Sequence, residues 1–137
     1  MVRYERYHRA RLLTEEEWLD IMAEIPGVPI EQTGSWWLCS SLSGELIKYH
    51  AVRNETIRNA VPSEICGIRP VFDVVTAALP YQRGDKVMIG NIKCSVITIS
   101  RNTKSFEALA DKIISMRDFN NIGTYINSSV FRNLIKN

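Results

Sequence analysis

The stretch Lys86-Val87-Met88-Ile89-Gly90-Asn91-Ile92-Lys93-Cys94-Ser95-Val96-Ile97-Thr98-Ile99 reads as a β-hairpin. Gly90-Asn91 is a favoured two-residue hairpin loop, because glycine accepts the positive φ that such a loop requires. Ile92, Cys94, Val96 and Thr98 share one face, and Ile97 and Ile99 lie on the other. Both faces are therefore partly covered, and other elements must supply the cover. Upstream, Gly67 to Val75 is rich in β-branched and aromatic residues and reads as a central strand, with Pro70 marking an edge or a bulge. Earlier still, Ser35 to Ser41 reads as a buried strand around Trp36, Trp37 and Leu38, followed by a Ser43-Gly44 turn. Glu45 to Arg53 alternates, with Leu46, Lys48, His50 and Val52 on one side and Ile47, Tyr49 and Ala51 on the other. Asn54-Glu55 suits a turn into a short strand from Thr56 to Ala60.

The helix signal lies near the N-terminus, in Leu13-Thr14-Glu15-Glu16-Glu17-Trp18. Thr14 as N-cap and Glu17 three residues on make a capping box, and Leu13 with Trp18 makes a hydrophobic staple. Three glutamates suit the positive end of the helix dipole. Trp18, Ile21, Met22 and Ile25 form one apolar face, and Pro26-Gly27 ends the helix, which is placed at residues 15–25. Residues 104–117 stay open: Phe106, Leu109, Ala110, Ile113 and Met116 fit a helix stripe, whereas Phe106 to Ala110 also suits a strand. Ser128 or Ser129 can cap a short helix carrying Val130, Phe131, Leu134 and Ile135. The expected class is α+β: a mostly antiparallel sheet with hairpins, one N-terminal helix and one or two further short helices, in a single domain over residues 1–137.

A chain of 137 residues buries roughly 68% of its unfolded surface and needs no disulfide or metal to fold. A net charge of +2 does not by itself imply nucleic acid. Cys39, Cys66 and Cys94 are odd in number and lack CxxC spacing, so reduced thiols are expected. Residues 1–11 are polar and basic, unlike a signal peptide, and no apolar run approaches a membrane span. These features predict a cytoplasmic protein, or one housed in a larger particle, with no membrane partner.

Catalytic signatures are sparse. His8 and His50 are the two histidines, and no histidine or cysteine cluster has metal-ligand spacing. A Cys39–His50 nucleophilic pair needs the fold to bring the two together. Phosphate-binding glycine loops and the GxSxG elbow are missing from the sequence, and Glu15 to Glu17 are explained by helix capping. The expectation is a non-enzymatic protein with no cofactor. The N-terminal arm carries Arg3, Arg6, Arg9 and Arg11 among Tyr4, Tyr7 and His8, opposed by Glu5. Arginines interleaved with aromatics can grip phosphates and stack on bases. The competing reading is a solvated, tyrosine-anchored edge strand.

Three segments taken together resemble a known family. They are Leu12-Leu13-Thr14-Glu15-Glu16-Glu17-Trp18, Trp36-Trp37-Leu38-Cys39-Ser40 and Gly67-Ile68-Arg69-Pro70-Val71-Phe72. Their order resembles an uncharacterised domain of Firmicutes and their bacteriophages and prophages, with a "WWLRS" strand before a "GVRP" strand. That pattern is related to the C-type-lectin-like fold of formylglycine-generating-enzyme-like proteins. Gly84 to Val87, Ile89 to Asn91 and Val96-Ile97 resemble the family's opening hairpin. Tyr125 with Ser129, Phe131, Arg132 and Ile135 resembles its "Y…S-x-I-R-x-x-L" segment. In the family these pieces precede the "WWLRS" half; here they follow it, as a circular permutation or a fragment of two adjacent copies would give. The family arginine of that strand is Cys39 here, so a carboxylate pair built on it would be lost.

The resemblance implies a phage or prophage setting and a scaffold that displays loops. Two functions follow from it, and a third follows from the N-terminal arm. One is a protein-binding module, virion or receptor-binding related, with Tyr49, Arg53 and Arg58 anchoring a surface between Ser41 and Glu64. Another is a small inhibitor of a host-defence nuclease, in the manner of an anti-CRISPR. The third is nucleic-acid binding through Arg3, Tyr4, Arg6, Tyr7, Arg9 and Arg11. Exposed sheet edges would also permit a homodimer.

Overall fold

A computed structural model of the chain describes residues 1–28, 35–40, 45–51, 53–58, 67–115 and 117. The first elements are β1 (Arg3–Tyr4), β2 (Arg9–Arg11), α1 (Glu15–Glu24), β3 (Ser35–Cys39), β4 (Leu46–His50) and β5 (Glu55–Ile57). They are followed by β6 (Gly67–Ile68), β7 (Val71–Val75), β8 (Lys86–Ile89), β9 (Ile92–Ser100) and β10 (Ser105–Ala110). The class is α+β, with mixed but mostly antiparallel sheets. The Ser43-Gly44 turn and the helix expected after Ser128 or Ser129 lie outside the described residues.

The larger sheet has the order β1-β8-β9-β10-β7-β2, and the smaller has β5-β4-β3-β6. The N-terminal strands are at opposite edges of the larger sheet, yet only five residue steps separate Tyr4 from Arg9. Those steps span at most about 18 Å. A flat sheet of six strands would hold its edges about 24 Å apart. The sheet must therefore curl into a barrel-like form. Its inner face carries Phe72, Val74, Val87, Ile89, Val96, Phe106 and Ala108, all buried. The arm closes one end, with Tyr4 against Phe106 (5.4 Å) and Tyr7 against Phe72 (4.8 Å). The Tyr4 and Tyr81 hydroxyls are hydrogen bonded to each other. Burial and this bond raise Tyr81 to about 12.

A second core forms on part of the outer face. Val71, Ile97 and Leu109 of the barrel meet Leu13, Trp18, Ile21 and Ile25 of the helical segment, and Trp36, Leu38, Ile47 and Tyr49 of the smaller sheet. Helix α1 starts as its sequence dictates. The Thr14 side chain accepts from the Glu17 N–H, and the Glu17 carboxylate accepts from the Thr14 N–H.

Two expectations change here. Gly67 to Val75 is not one strand: β6 belongs to the smaller sheet and β7 to the larger. Arg69-Pro70 forms the corner, and proline, without an N–H, cannot continue a ladder donor. Residues 105–110 resolve as strand, pairing with both β7 and β9. Phe106, Ala108 and Ala110 point into the barrel while Leu109 enters the second core, so apolar residues on both faces mimicked a helix stripe.

The corner is tightly built. Arg69 is fully buried, its guanidinium carbon 5.0 Å from the Trp18 ring centroid and 5.1 Å from that of Trp36. Its Nε donates to the Ala110 carbonyl at 2.9 Å, and the Ala110 N–H donates to the Pro70 carbonyl at 3.0 Å. A Cβ on Gly67 would lie 2.1 Å from Ile113 Cγ2 and 3.0 Å from the Ile114 carbonyl oxygen. Gly67→Ala should therefore destabilise by about 1–3 kcal/mol through overpacking. Arg69→Met should cost about 3 kcal/mol, from a desolvated cation–π contact and a charged hydrogen bond. Urea denaturation measures both, and a loss below about 0.5 kcal/mol in either would refute that account of the corner.

Candidate functional site

The structure sorts the predicted site residues into three groups. Tyr49, expected as an exposed anchor, is a core residue at 2% exposure. Its ring packs on Trp18 and Trp36 at 5.7 and 5.4 Å, and its hydroxyl donates to Asn54 Oδ1. It shares a strand face with Ile47, and that face looks into the second core. Arg53 and Arg58 are exposed; Arg53 lies 3.6 Å from Glu55, and Arg58 donates to Glu15 at 2.8 Å, which joins β5 to α1. The proposed anchors thus do not form one patch around an aromatic centre. Cys39 and His50 are likewise apart. Cys39 faces Leu46 and His50 faces Ser35 at opposite ends of the β3–β4 ladder, four residues or about 13 Å along the strand.

The N-terminal arm forms edge strands, and its cations have different duties. Arg3 donates to Asn91 Oδ1 at 3.1 Å. Arg6 is exposed. Arg9 pairs with Asp73 at 3.3 Å. Arg11 is the structural one. Its two terminal nitrogens donate to the two Glu17 oxygens, each at 2.7 Å, and Nη2 also reaches Glu107 Oε2 at 3.0 Å. One guanidinium therefore ties β2 to α1 and to β10. Burial alone would lower its pKa, but the Glu17 hydrogen bonds and the two carboxylate charges outweigh this and raise it. Burial pushes the half-buried Cys39 thiol up, although the nearby Arg11 charge opposes the shift.

The topology brings the arm beside residues that no local signal connects with it. The β2–β7 contact reaches His8, whose N–H donates to the Asp73 carbonyl at 2.7 Å. In register, Arg9 faces Asp73, Asp73 faces Glu107, and Glu107 faces Thr98. At the same end lies the β9–β10 turn, Arg101 to Lys104, all exposed; the Lys104 carbonyl accepts from the Thr76 N–H at 2.8 Å. A cleft of about 250 Å³ opens on this outer face, lined by Arg9, Asp73, Glu107 and the hydroxyls of Thr98, Ser100, Thr103 and Ser105. Asp73 is paired with Arg9, and Glu107 shares the Arg11 charge with Glu17. Arg101 and Lys104, both exposed, add two cations at this end. Lys104 also holds φ at +50°, a left-handed conformation that disfavours a residue with Cβ.

A polar cluster missed by the sequence reading lies elsewhere. Ser95 Oγ donates to Asp111 Oδ1, and Lys86 Nζ donates to Ser95 Oγ (2.6 Å), Asp111 Oδ2 (3.1 Å) and the Gly27 carbonyl (2.8 Å). A serine–lysine nucleophile needs a neutral amine and access for substrate. Here the lysine is committed to a carboxylate and Ser95 is fully buried. The cluster latches β8, β9, the end of β10 and the turn after α1. Among the described residues, no group of three or more His, Cys, Asp or Glu side chains could hold a metal, and no helix is long and apolar enough to cross a membrane.

The Arg11 network carries a pH dependence. Burial opposes it, but the Arg11 hydrogen bonds and charge, with the Thr14 N–H, hold the Glu17 carboxyl below its ordinary value of 4.5. A depressed folded-state pKa stabilises above the unfolded value, and that stability is lost as pH falls through the folded value. Glu17→Gln should therefore lower stability at neutral pH and narrow the gap to wild type as pH falls from about 5 to about 3. Urea midpoints across that range check this; parallel curves would show that Glu17 is not the titrating group.

Comparison with protein-family models, with curated proteins and with solved structures finds no match to this chain.

Proposed function

We propose that the protein is a non-enzymatic binding module whose partner is a nucleic-acid strand, held at the basic end of the barrel. The observation that carries this reading is the juxtaposition of Arg9, at the β2 end of the N-terminal arm, with the β9–β10 turn. The arm alone is a narrow basic feature. With Arg101 and Lys104 it becomes a rim around a polar cleft, and two strand spacings, about 10 Å, separate the turn from β2. Phosphates bind such rims by releasing counterions, which makes affinity fall steeply with salt. Lys104 adds support, because glycine would relax its backbone, whereas a lysine there places a cation at the rim.

A second reading, a protein-binding module of phage or prophage origin, draws on the family resemblance and on one surface feature. Leu19 (55% exposed) and Ile57 (37% exposed) stand near the Glu15–Arg58 bridge, on α1 and on the outer strand of the smaller sheet. An inhibitor of a host-defence nuclease is one form of it. A partner recovered from host lysate in high salt after nuclease treatment favours this second reading over the first.

The primary test is fluorescence anisotropy with a labelled single-stranded oligonucleotide across a salt series. Wild type should bind with a negative log–log salt slope, and Arg101→Ala with Lys104→Ala should flatten it by about 1.4, the value for two lost contacts to a single strand. Lys104→Gly should weaken binding while stabilising the fold by about 1 kcal/mol. Loss of both affinity and stability would mark Lys104 as a fold residue, and the absence of salt-sensitive binding in wild type would end the nucleic-acid reading.

A further inference from the structure

The geometry points to a sugar-reading cleft that makes the strand bound at the basic end RNA rather than DNA; this rests on the nucleic-acid reading above. A phosphate would not enter the cleft beside Asp73 and Glu107. A ribose would. Each carboxylate accepts hydrogen bonds and donates none, so the complementary ligand is a donor such as a 2′-hydroxyl. Arg9, in the cleft wall, pairs with Asp73 at 3.3 Å, and Arg11 shares its charge between Glu107 at 3.0 Å and Glu17, so the carboxylates offer acceptors to a hydroxyl while phosphates stay outside the cleft.

The remaining wall suits the same ligand. Thr103 donates to Ser100 Oγ at 2.8 Å and shares a second hydrogen bond with Ser105 Oγ at 2.7 Å. Each hydroxyl has one proton and two lone pairs, so this chain keeps free acceptor positions facing the cleft. Phe106 adds an apolar element to the lining. The volume, about 250 Å³, is below the roughly 300–1,000 Å³ usual for drug-sized ligands, which fits one ring better than a whole nucleotide. Arg101 and Lys104 would then hold the flanking phosphates. The 2′-hydroxyl is the group by which a protein distinguishes RNA from DNA at a given site.

The test is competition among three oligonucleotides of one sequence: single-stranded RNA, DNA and 2′-O-methyl RNA, each bound to the full chain at fixed salt. RNA should bind at least about fivefold more tightly than the other two, since the methyl group removes the donated proton. Asp73→Ala should abolish that preference while DNA affinity is unchanged or raised, because Arg9 is released. The double variant Ser100→Ala with Ser105→Ala, which leaves every charge in place, should also lower the RNA-to-DNA ratio. Equal, salt-sensitive binding of all three would overturn the ribose assignment and leave the nucleic-acid reading standing. A preference that survives in both variants would overturn it as well, and failure to bind any of the three would remove both.

Discussion

The fold depends on one buried cation. Arg69 occupies the point where the chain leaves the smaller sheet and enters the barrel, between β6 and β7. Burying a guanidinium is costly unless its charge is compensated. Here two indole faces flank it, one from α1 and one from β3, and its Nε finds the carbonyl of Ala110 at the end of β10. Four elements therefore meet on one side chain. Ala110 answers by donating to Pro70, so both of its backbone groups are spent on the corner. Ile113 and Ile114 press against Gly67 from the other side. Shifting any of these elements would strand a charge or a backbone group in an apolar interior.

That constraint explains which parts of the fold the sequence made legible. The helix announced itself because its cap, its staple and its acidic first turn are local interactions. The β8–β9 hairpin did so because Gly90, at φ +57°, supplies the conformation that its loop demands. Pro70 was visible as an interruption, but whether it marked a bulge or a change of sheet depended on Arg69 and its distant partners. Residues 105–110 were ambiguous for a physical reason: a central strand covered on both faces loses the alternation that identifies a strand. Tyr49 was placed on the correct strand face, beside Ile47, yet read as a surface anchor. Nothing local says that Trp18 and Trp36 close over that face.

The candidate site was less legible still. Arg9 and Arg11 look equivalent in sequence, two residues apart, but one lines an open cleft and the other braces the helix against the barrel. Arg101 and Lys104 sit about ninety residues from the arm and resemble ordinary turn residues. Their proximity to it is topological, since β2 and β10 both pair with β7.

Curvature converts that topology into an electrostatic surface. In a flat sheet the two N-terminal strands would lie on opposite borders and their cations would act separately. The curl brings the arm across the barrel end, while the β10–β7–β2 ladder keeps Arg9 two strands from the β9–β10 turn. A separation of about 10 Å exceeds the screening length of physiological salt, about 8 Å, so these cations act together mainly at low ionic strength. Of the acidic side chains between them, Asp73 is paired with Arg9, and Glu107 shares Arg11 with Glu17. What remains is a pair of exposed cations, Arg101 and Lys104, beside a hydroxyl-rich floor whose carboxylates are held by arginines. Under the proposed function such a surface would attract a polyanion by its edge and discriminate by its centre, and both properties would arise from the pairing order of the strands.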